Sequence, residues 1–281
     1  MTLAVTGATG QLGSLVIDHL LAAGVAPVEV VALVRRPDAA AELAARGIDV
    51  RRFDYNAPDT SALTGVTSLL LVSGNEFGQR ARQHAAVIDA AKAAGVGRIL
   101  YTSAPGVEDS INPVAPEHKA TEEYLAGSGV PYVVLRNGWY HENYLAEAAS
   151  AAQTGVLLTA AGQGRVASAA RSELAEAAAV VLAGEETGRT YTLTGDVAWT
   201  QDDLAADLTT LVGREVVAQH VDPQEKQAIL AQAGLDAGSI GFIAGVDAAI
   251  AAGELGVVNG ELAGLIGRPT ASLVDTLGPL V

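Results

Sequence analysis

Short apolar runs alternate with longer segments of helical period through the first half of the chain, and glycine stands at most of the junctions. Leu3-Ala4-Val5 runs into Gly7, Gly10 and Gly13, after which Leu12, Leu15, Val16 and Leu20 recur at helical spacing. Ala23-Gly24 stops that helix, and residues 28–34 read as a buried parallel strand. The pattern predicts a helix over 39–46 ending at Gly47, then short strands over 48–53 and 68–72. A helix over 79–94 closes at Gly95, a strand covers 98–102, a helix 117–126 and a sixth strand 132–135. Strands separated by helices of this length require right-handed crossovers. The expected fold is therefore α/β, a parallel sheet covered by helices on both faces.

The rhythm loosens beyond about residue 150. Residues 157–159 and 191–193 are short strand candidates. Helices are expected over 172–182, over 201–211 with Thr200 as N-cap, over 223–232, and around 243–252 and 260–266. This predicts a first domain over 1–155 and a smaller, mainly helical lobe over 156–281, with segments that interleave because no flexible linker separates them.

Composition narrows the classes. The chain has 281 residues, 49% of them hydrophobic, and no apolar run of membrane-spanning length. Its net charge of −15 opposes encounter with nucleic acid or anionic membrane. Cysteine is absent, which excludes disulfides and thiol nucleophiles and suits a reducing cytoplasm. The chain enters its first strand by Leu3, so no cleavable leader is expected. The five histidines lack zinc-like spacing, and no metal is expected.

In an open α/β sheet, ligands lie beyond the carboxyl ends of the strands. A strand, a tight glycine turn and a helix N-terminus in succession suit a pyrophosphate, because unpaired N–H groups and the helix dipole hold negative charge. The spacing here is G-x-x-G-x-x-G. An NAD site places an acid about 20 residues beyond the glycines to bind the adenosine ribose. Here Val34 is followed by Arg35 and Arg36, which favours a 2′-phosphate and hence NADP, although Asp38 leaves NAD open. Ser73 and Gly74 follow the fourth strand, Thr102 and Ser103 the fifth, and Asn137, Gly138, Trp139 and Tyr140 the sixth.

Aromatic residues make up only 4% of the chain, yet Trp139, Tyr140 and Tyr144 fall within six positions. They could stack on a planar acceptor, with Tyr140 donating a hydrogen bond, or pack in the next helix's first turn. None of the seven tyrosines has lysine four positions later. The Tyr-x-x-x-Lys proton donor of short-chain dehydrogenases is missing, and His118 stands near where its lysine would be. A simple ketone would need an acid at its developing alkoxide. A quinone gives a stabilised phenolate and needs little beyond a hydrogen-bond donor. His118 is read either as part of a proton relay or as a solvated residue on the helix surface.

These motifs, together with Gly78-Gln79-Arg80, Arg136-Asn137-Gly138-Trp139-Tyr140, Glu142-Asn143-Tyr144-Leu145, Ala161-Gly162-Gln163-Gly164 and Leu265-Ile266-Gly267, resemble the NmrA-like atypical short-chain dehydrogenases, in particular bacterial quinone-reducing members. The resemblance covers nearly the whole chain. It implies a Rossmann domain with a small C-terminal lobe, and flavin-independent reduction of a small-molecule quinone by NADPH. It implies cofactor contacts from Gly7, Ala8, Thr9, Gly10, Gln11, Leu12, Gly13, Arg35, Ser73, Gly74, Thr102, Ser103, Asn137, Gly138, Trp139, Tyr140 and Arg171. Candidate hydrogen-bond donors to the substrate are Tyr140, Ser103, Gln79 and His118. Relatives of this group also reduce triphenylmethane dyes or act as NADP-binding regulators of protein partners, and a homodimer is left open.

Overall fold

The computed structural model describes residues 1–278. In chain order the strands are β1 (Leu3–Thr6), β2 (Val30–Val34), β3 (Asp49–Arg52), β4 (Ser68–Leu71), β5 (Arg98–Ser103), β6 (Tyr132–Asn137), β7 (Val156–Thr159), β8 (Arg189–Leu193) and β9 (Val217–His220). The helices are α1 (Gln11–Ala22), α2 (Ala41–Ala45), α3 (Arg80–Ala93), α4 (Ala115–Gly127), α5 (Leu145–Thr154), α6 (Arg171–Ala183), α7 (Gln201–Val212), α8 (Pro223–Gln232), α9 (Ala237–Ala251), α10 (Glu261–Ile266) and α11 (Leu273–Leu277). The chain forms two compact units. One contains residues 1–104, 116–137 and 171–192; the other contains 105–115, 138–170 and 193 onward.

The first unit is built on a seven-stranded sheet of order β3-β2-β1-β4-β5-β6-β8. The pairings from β3 through β6 are parallel. Every residue of β1, β2, β4 and β5 is buried, as apolar strands covered on both faces must be. The edge strand β3 (Asp-Val-Arg-Arg) carries charge instead. On one face, Val87, Ile88 and Ala91 of α3 and Leu125 of α4 pack against Leu69, Leu71, Ile99 and Tyr101 of the sheet. Helices α1 and α6 pack against each other and cover β1 and β4. α1 buries Leu12, Val16 and Leu20 of the expected stripe together with Gly13 and Ile17, whereas Leu15 is only half-buried.

Two early elements are shorter than their apolar patterns suggest, and proline is the reason. Pro27 and Pro37 each open a 3-10 turn, delaying β2 to Val30 and reducing the helix over 39–46 to Ala41–Ala45. The segment 171–192 supplies α6 and β8 to the first unit.

The second unit holds the parallel pair β7–β9 and a core of Tyr144, Trp199, Leu204, Leu208, Val246 and Ile250. Thr200 caps α7 as its sequence suggests. Its hydroxyl accepts from the Asp203 N–H, and the Asp203 carboxylate accepts from the Thr200 N–H. Helix α9 starts well before residue 243 because Asp236 accepts the N–H groups of Gly238 and Ser239. The exposed strand β9 has no sequence counterpart among the expected elements. No helix among the described residues is long and apolar enough to cross a membrane.

One buried charge ties the sheet to the end of α6. Arg98, 5% exposed, donates from Nε to Ser68 Oγ at 2.9 Å and from Nη1 to the Glu186 carbonyl at 2.7 Å. Its Nη2 donates to the Leu182 carbonyl at 2.8 Å and to that of Gly184. It thus satisfies carbonyls that the C-terminus of α6 leaves open. Replacing Arg98 with Met leaves those acceptors without their donor. Urea denaturation of R98M is expected to show a loss of about 2–4 kcal/mol.

Candidate functional site

The carboxyl edge of the first unit begins with the β1–α1 turn. Gly7 has φ +57°, a left-handed conformation that side chains rarely adopt. A Cβ on Gly13 would lie 2.4 Å from the Gly7 carbonyl oxygen, and one on Gly10 3.0 Å from it. The three glycines therefore serve the turn and the close pass of the helix over it. The first intrahelical bond is from Ser14 N–H to the Gly10 carbonyl. The N–H groups of Gln11, Leu12 and Gly13 thus precede the helical ladder, and no acid occupies this first turn. Donors, dipole and open backbone form a cradle for a phosphate-bearing group.

The sheet order reverses between β1 and β4, the switch point at which α/β sheets bind ligands. Arg35 follows β2 on the same edge, its side chain 67% exposed. Ala8 and Leu12 are buried beneath the turn, whereas Thr9 and Gln11 are exposed. Arg171 begins α6 in the same unit.

Past β4, the segment is held by side chains. The Val72 N–H donates to Thr6 Oγ1 at 2.9 Å, Ser73 N–H to Thr102 Oγ1 at 2.8 Å and Gly74 N–H to His84 Nε2 at 2.9 Å. Three consecutive donors are thereby used internally. Ser73 and Gly74 offer a ligand carbonyl oxygens and the Ser73 hydroxyl rather than N–H groups. The Tyr55 hydroxyl lies 2.7 Å from the Val72 carbonyl and 2.5 Å from Thr6 Oγ1, clamping the ends of β1 and β4.

Beneath this segment lies a buried polar network. His84 Nε2 accepts from Gly74, so its Nδ1–H donates to Thr121 Oγ1 at 3.0 Å. Arg80 Nη2 donates to His118 Nε2 at 2.8 Å, and His118 Nδ1 lies 2.7 Å from the Tyr101 hydroxyl. His118 is only 5% exposed, so the solvated helix-surface reading does not hold. Burial, and then the charge of Arg80, push His84 down to about 3. Burial, Arg80 and His84 push His118 down to about 2. Both rings are neutral with their tautomers fixed.

The other candidate donors fall in different settings. Ser103 Oγ donates to Glu122 Oε1 at 2.5 Å, and Glu122 is held by Arg136 at 3.0 Å from Nε and 2.7 Å from Nη2. Gln79 is exposed at the start of α3, its Oε1 accepting from Arg82. Asn137 is buried at the end of β6. In the second unit, Gly138 N–H donates to the Leu193 carbonyl at 2.7 Å, and Trp139 packs half-buried on that unit's core. Tyr140 is half-buried and bridges to Ala169. Tyr144 belongs to the core instead, its ring edge-on to Trp199 with centroids 4.7 Å apart.

Tyr55, Glu76, His84 and Glu122 are not among the site residues to which the sequence motifs point. His84 had a legible signal, because it shares a helix face with Ile88 and Ala91 and so had to be buried. The others are brought to the site by tertiary packing alone. Among the described residues, no group of three or more His, Asp or Glu is placed to hold a metal.

Glycine cradle, switch point and exposed arginine together define a dinucleotide-binding protein of the doubly wound class. The model of a family described as NAD(P)H-binding matches residues 7–188. Quinone oxidoreductase 2 of Escherichia coli strain K12 is 48% identical, over 99% of this chain and 98% of the relative. An NmrA-like family domain-containing oxidoreductase of Aspergillus flavus is 30% identical, over 94% and 90% respectively. The crystal structure of the Escherichia coli NADPH-dependent quinone oxidoreductase complexed with NADPH superposes with TM-score 0.95 at 46% identity, covering 99% of each chain. Triphenylmethane reductase of Citrobacter sp. complexed with NADP(H) gives 0.92 at 38% identity, covering 100% of both. The chain belongs to the NAD(P)H-binding family, in its NmrA-like group.

Two measurements test this construction. G13A forces a Cβ against the Gly7 carbonyl, and NADPH affinity by fluorescence titration is expected to fall at least about tenfold. Histidine in the unfolded chain titrates near 6.5, so below that pH the unfolded state binds protons that buried His84 and His118 refuse. Their stabilising contribution is complete above about pH 6.5 and is lost as pH falls from there toward their folded values. The melting temperature should drop between about pH 7 and 5, where few carboxylates titrate, and H118Q should flatten that slope.

Proposed function

We propose that this protein is an NADPH-dependent reductase of quinones that works without flavin. The observation that carries the reading is its 48% identity, over nearly the full length of both chains, to a quinone oxidoreductase. The glycine cradle, the first turn of α1 and the exposed Arg35 suit a pyrophosphate and a 2′-phosphate, which supports NADPH as the nucleotide. When bound, the reduced nicotinamide supplies a hydride which, with one proton, converts a quinone to its hydroquinone.

The chain's own residues bind and orient. Residues 7–13 would hold the pyrophosphate, Arg35 the 2′-phosphate, and Ser73, Gly74, Thr102, Ser103, Asn137, Gly138 and Arg171 the rest of the nucleotide. Trp139 and Tyr140, which follow β6 in the chain, would receive the planar acceptor, with Tyr140 as the first hydrogen-bond donor to its developing oxyanion. Ser103 would act through Glu122, which already accepts the hydrogen bond from its hydroxyl. His118 would keep Tyr101 and Arg80 in place, because both its ring nitrogens are engaged. Most of the rate would come from holding two rings in register, since a phenolate needs less acid assistance than an alkoxide. A cytoplasmic location is supported by the cysteine-free sequence.

A simple quinone added to protein and NADPH, with no flavin, should cause rapid loss of NADPH absorbance. A triphenylmethane dye is the second acceptor to try, given the 38% identity to a triphenylmethane reductase. Tight NADPH binding without oxidation by either acceptor would overturn the enzyme reading in favour of a sensor. Y140F is expected to lower kcat about tenfold or more. Unchanged turnover would remove Tyr140 from the donor role.

A further inference from the structure

Arg35 does not stand alone beyond β2. Its Nη1 donates to Glu76 Oε1 at 3.4 Å, so a residue from the segment after β4 reaches the place where a 2′-phosphate would be met. Glu76 is pinned from behind: its Oε2 accepts from Gln83 Nε2 at 2.7 Å. Gln83 is 2% exposed on α3, and its Nε2 also lies 3.2 Å from Asn56 Oδ1. The carboxylate is thus the anchored half of the pair, and the long, largely exposed Arg35 side chain is the half able to turn.

We infer that the Arg35–Glu76 pair, and not Asp38, sets this protein's preference between NADPH and NADH. The inference rests on the reading that the carboxyl edge of the first unit holds the nucleotide. A 2′-phosphate near pH 7 carries close to two negative charges, so it competes with Glu76 for the guanidinium and is repelled by the carboxylate. A nucleotide without that phosphate offers a ribose hydroxyl, for which an anchored carboxylate is the acceptor that dinucleotide sites usually take from the segment after the second strand. Arg35 therefore favours NADPH, and Glu76 favours NADH. Asp38 lies in the 3-10 turn Pro37–Ala40, beyond Arg35 and Arg36. The two opposed groups predict a protein that uses both nucleotides, with a ratio that one substitution moves. Both side chains are solvent-exposed, so the effect is modest and falls as salt rises.

The test is direct titration of the full-length protein with NADPH and with NADH, read by fluorescence, for the wild type and for E76Q, R35Q and D38N. Glutamine at 76 keeps an acceptor for Gln83, so the segment stays anchored while the charge is lost. E76Q is expected to tighten NADPH about three- to tenfold and to weaken NADH, with a smaller gain in high salt. R35Q should do the reverse, and D38N should leave both affinities within about twofold of the wild type. An E76Q preference ratio within about twofold of the wild type, with R35Q still weakening NADPH, overturns the inference and leaves the nucleotide site standing. An R35Q variant that changes neither affinity overturns the placement of the nucleotide and the inference with it. Because every readout is binding, a protein that failed to reduce quinones would still give a decisive result.

Discussion

The candidate site depends on a backbone approach that no side chain permits. With a Cβ on Gly13 only 2.4 Å from the Gly7 carbonyl oxygen, any other residue would push α1 away from the end of β1. Because the helix can come this close, its first N–H groups lie beside the turn and its dipole adds to them. Steric permission at one position thus produces an electrostatic feature, and the order of strands puts that feature at the sheet's switch point. Arg35 extends the same edge, so a second source of positive charge lies on the side of the sheet that carries the helix N-terminus.

The opposite side of the site is shaped by side chains that occupy backbone donors. Thr6, Thr102 and His84 take the N–H groups of Val72, Ser73 and Gly74 in turn, and each acceptor lies on a different element. These half-buried donors would lose part of their solvation without partners, so the three bonds help to fix the segment's path. The network behind them carries polar groups into a region where charge is expensive, and it remains neutral apart from Arg80. Glu117 accepts the Arg80 N–H at 3.0 Å, which attaches the start of α3 to α4. Val72, Ser73 and Gly74 are therefore held in one backbone path by side chains of three separate elements.

The neutral, engaged state of these buried groups bears on the reaction. A proton donor works best with a pKa near the operating pH, and His118 is far below it, while burial drives Tyr101 upward. The helix that carries the Tyr-x-x-x-Lys dyad in short-chain dehydrogenases here contributes a locked structural network. An acceptor whose reduced form is a stabilised phenolate suits such a site, because ring positioning and one hydrogen bond meet most of its demands.

The repeating strands and helices of the first unit were legible because two burial periods, 2.0 and 3.6, alternate cleanly in the apolar pattern. The glycine turn and the paired arginines were legible for a related reason: each acts through local backbone freedom or charge, properties that a short stretch of sequence carries by itself. What depends on distant residues was not legible. The return of 171–192 to complete the seven-stranded sheet, the burial of His118 and the core position of Tyr144 depend on which surfaces meet. Glu76 behaves the same way, since only the pairing of β1 with β2 and β4 brings it to Arg35 across forty-one positions of chain. The sequence alone thus determined the class of fold and the class of ligand, which follow from short-range periodicity, backbone freedom and charge. The tertiary structure decided which polar groups are buried and which partners they take, because hydrogen-bond partners and burial are properties of packing between elements far apart in the chain.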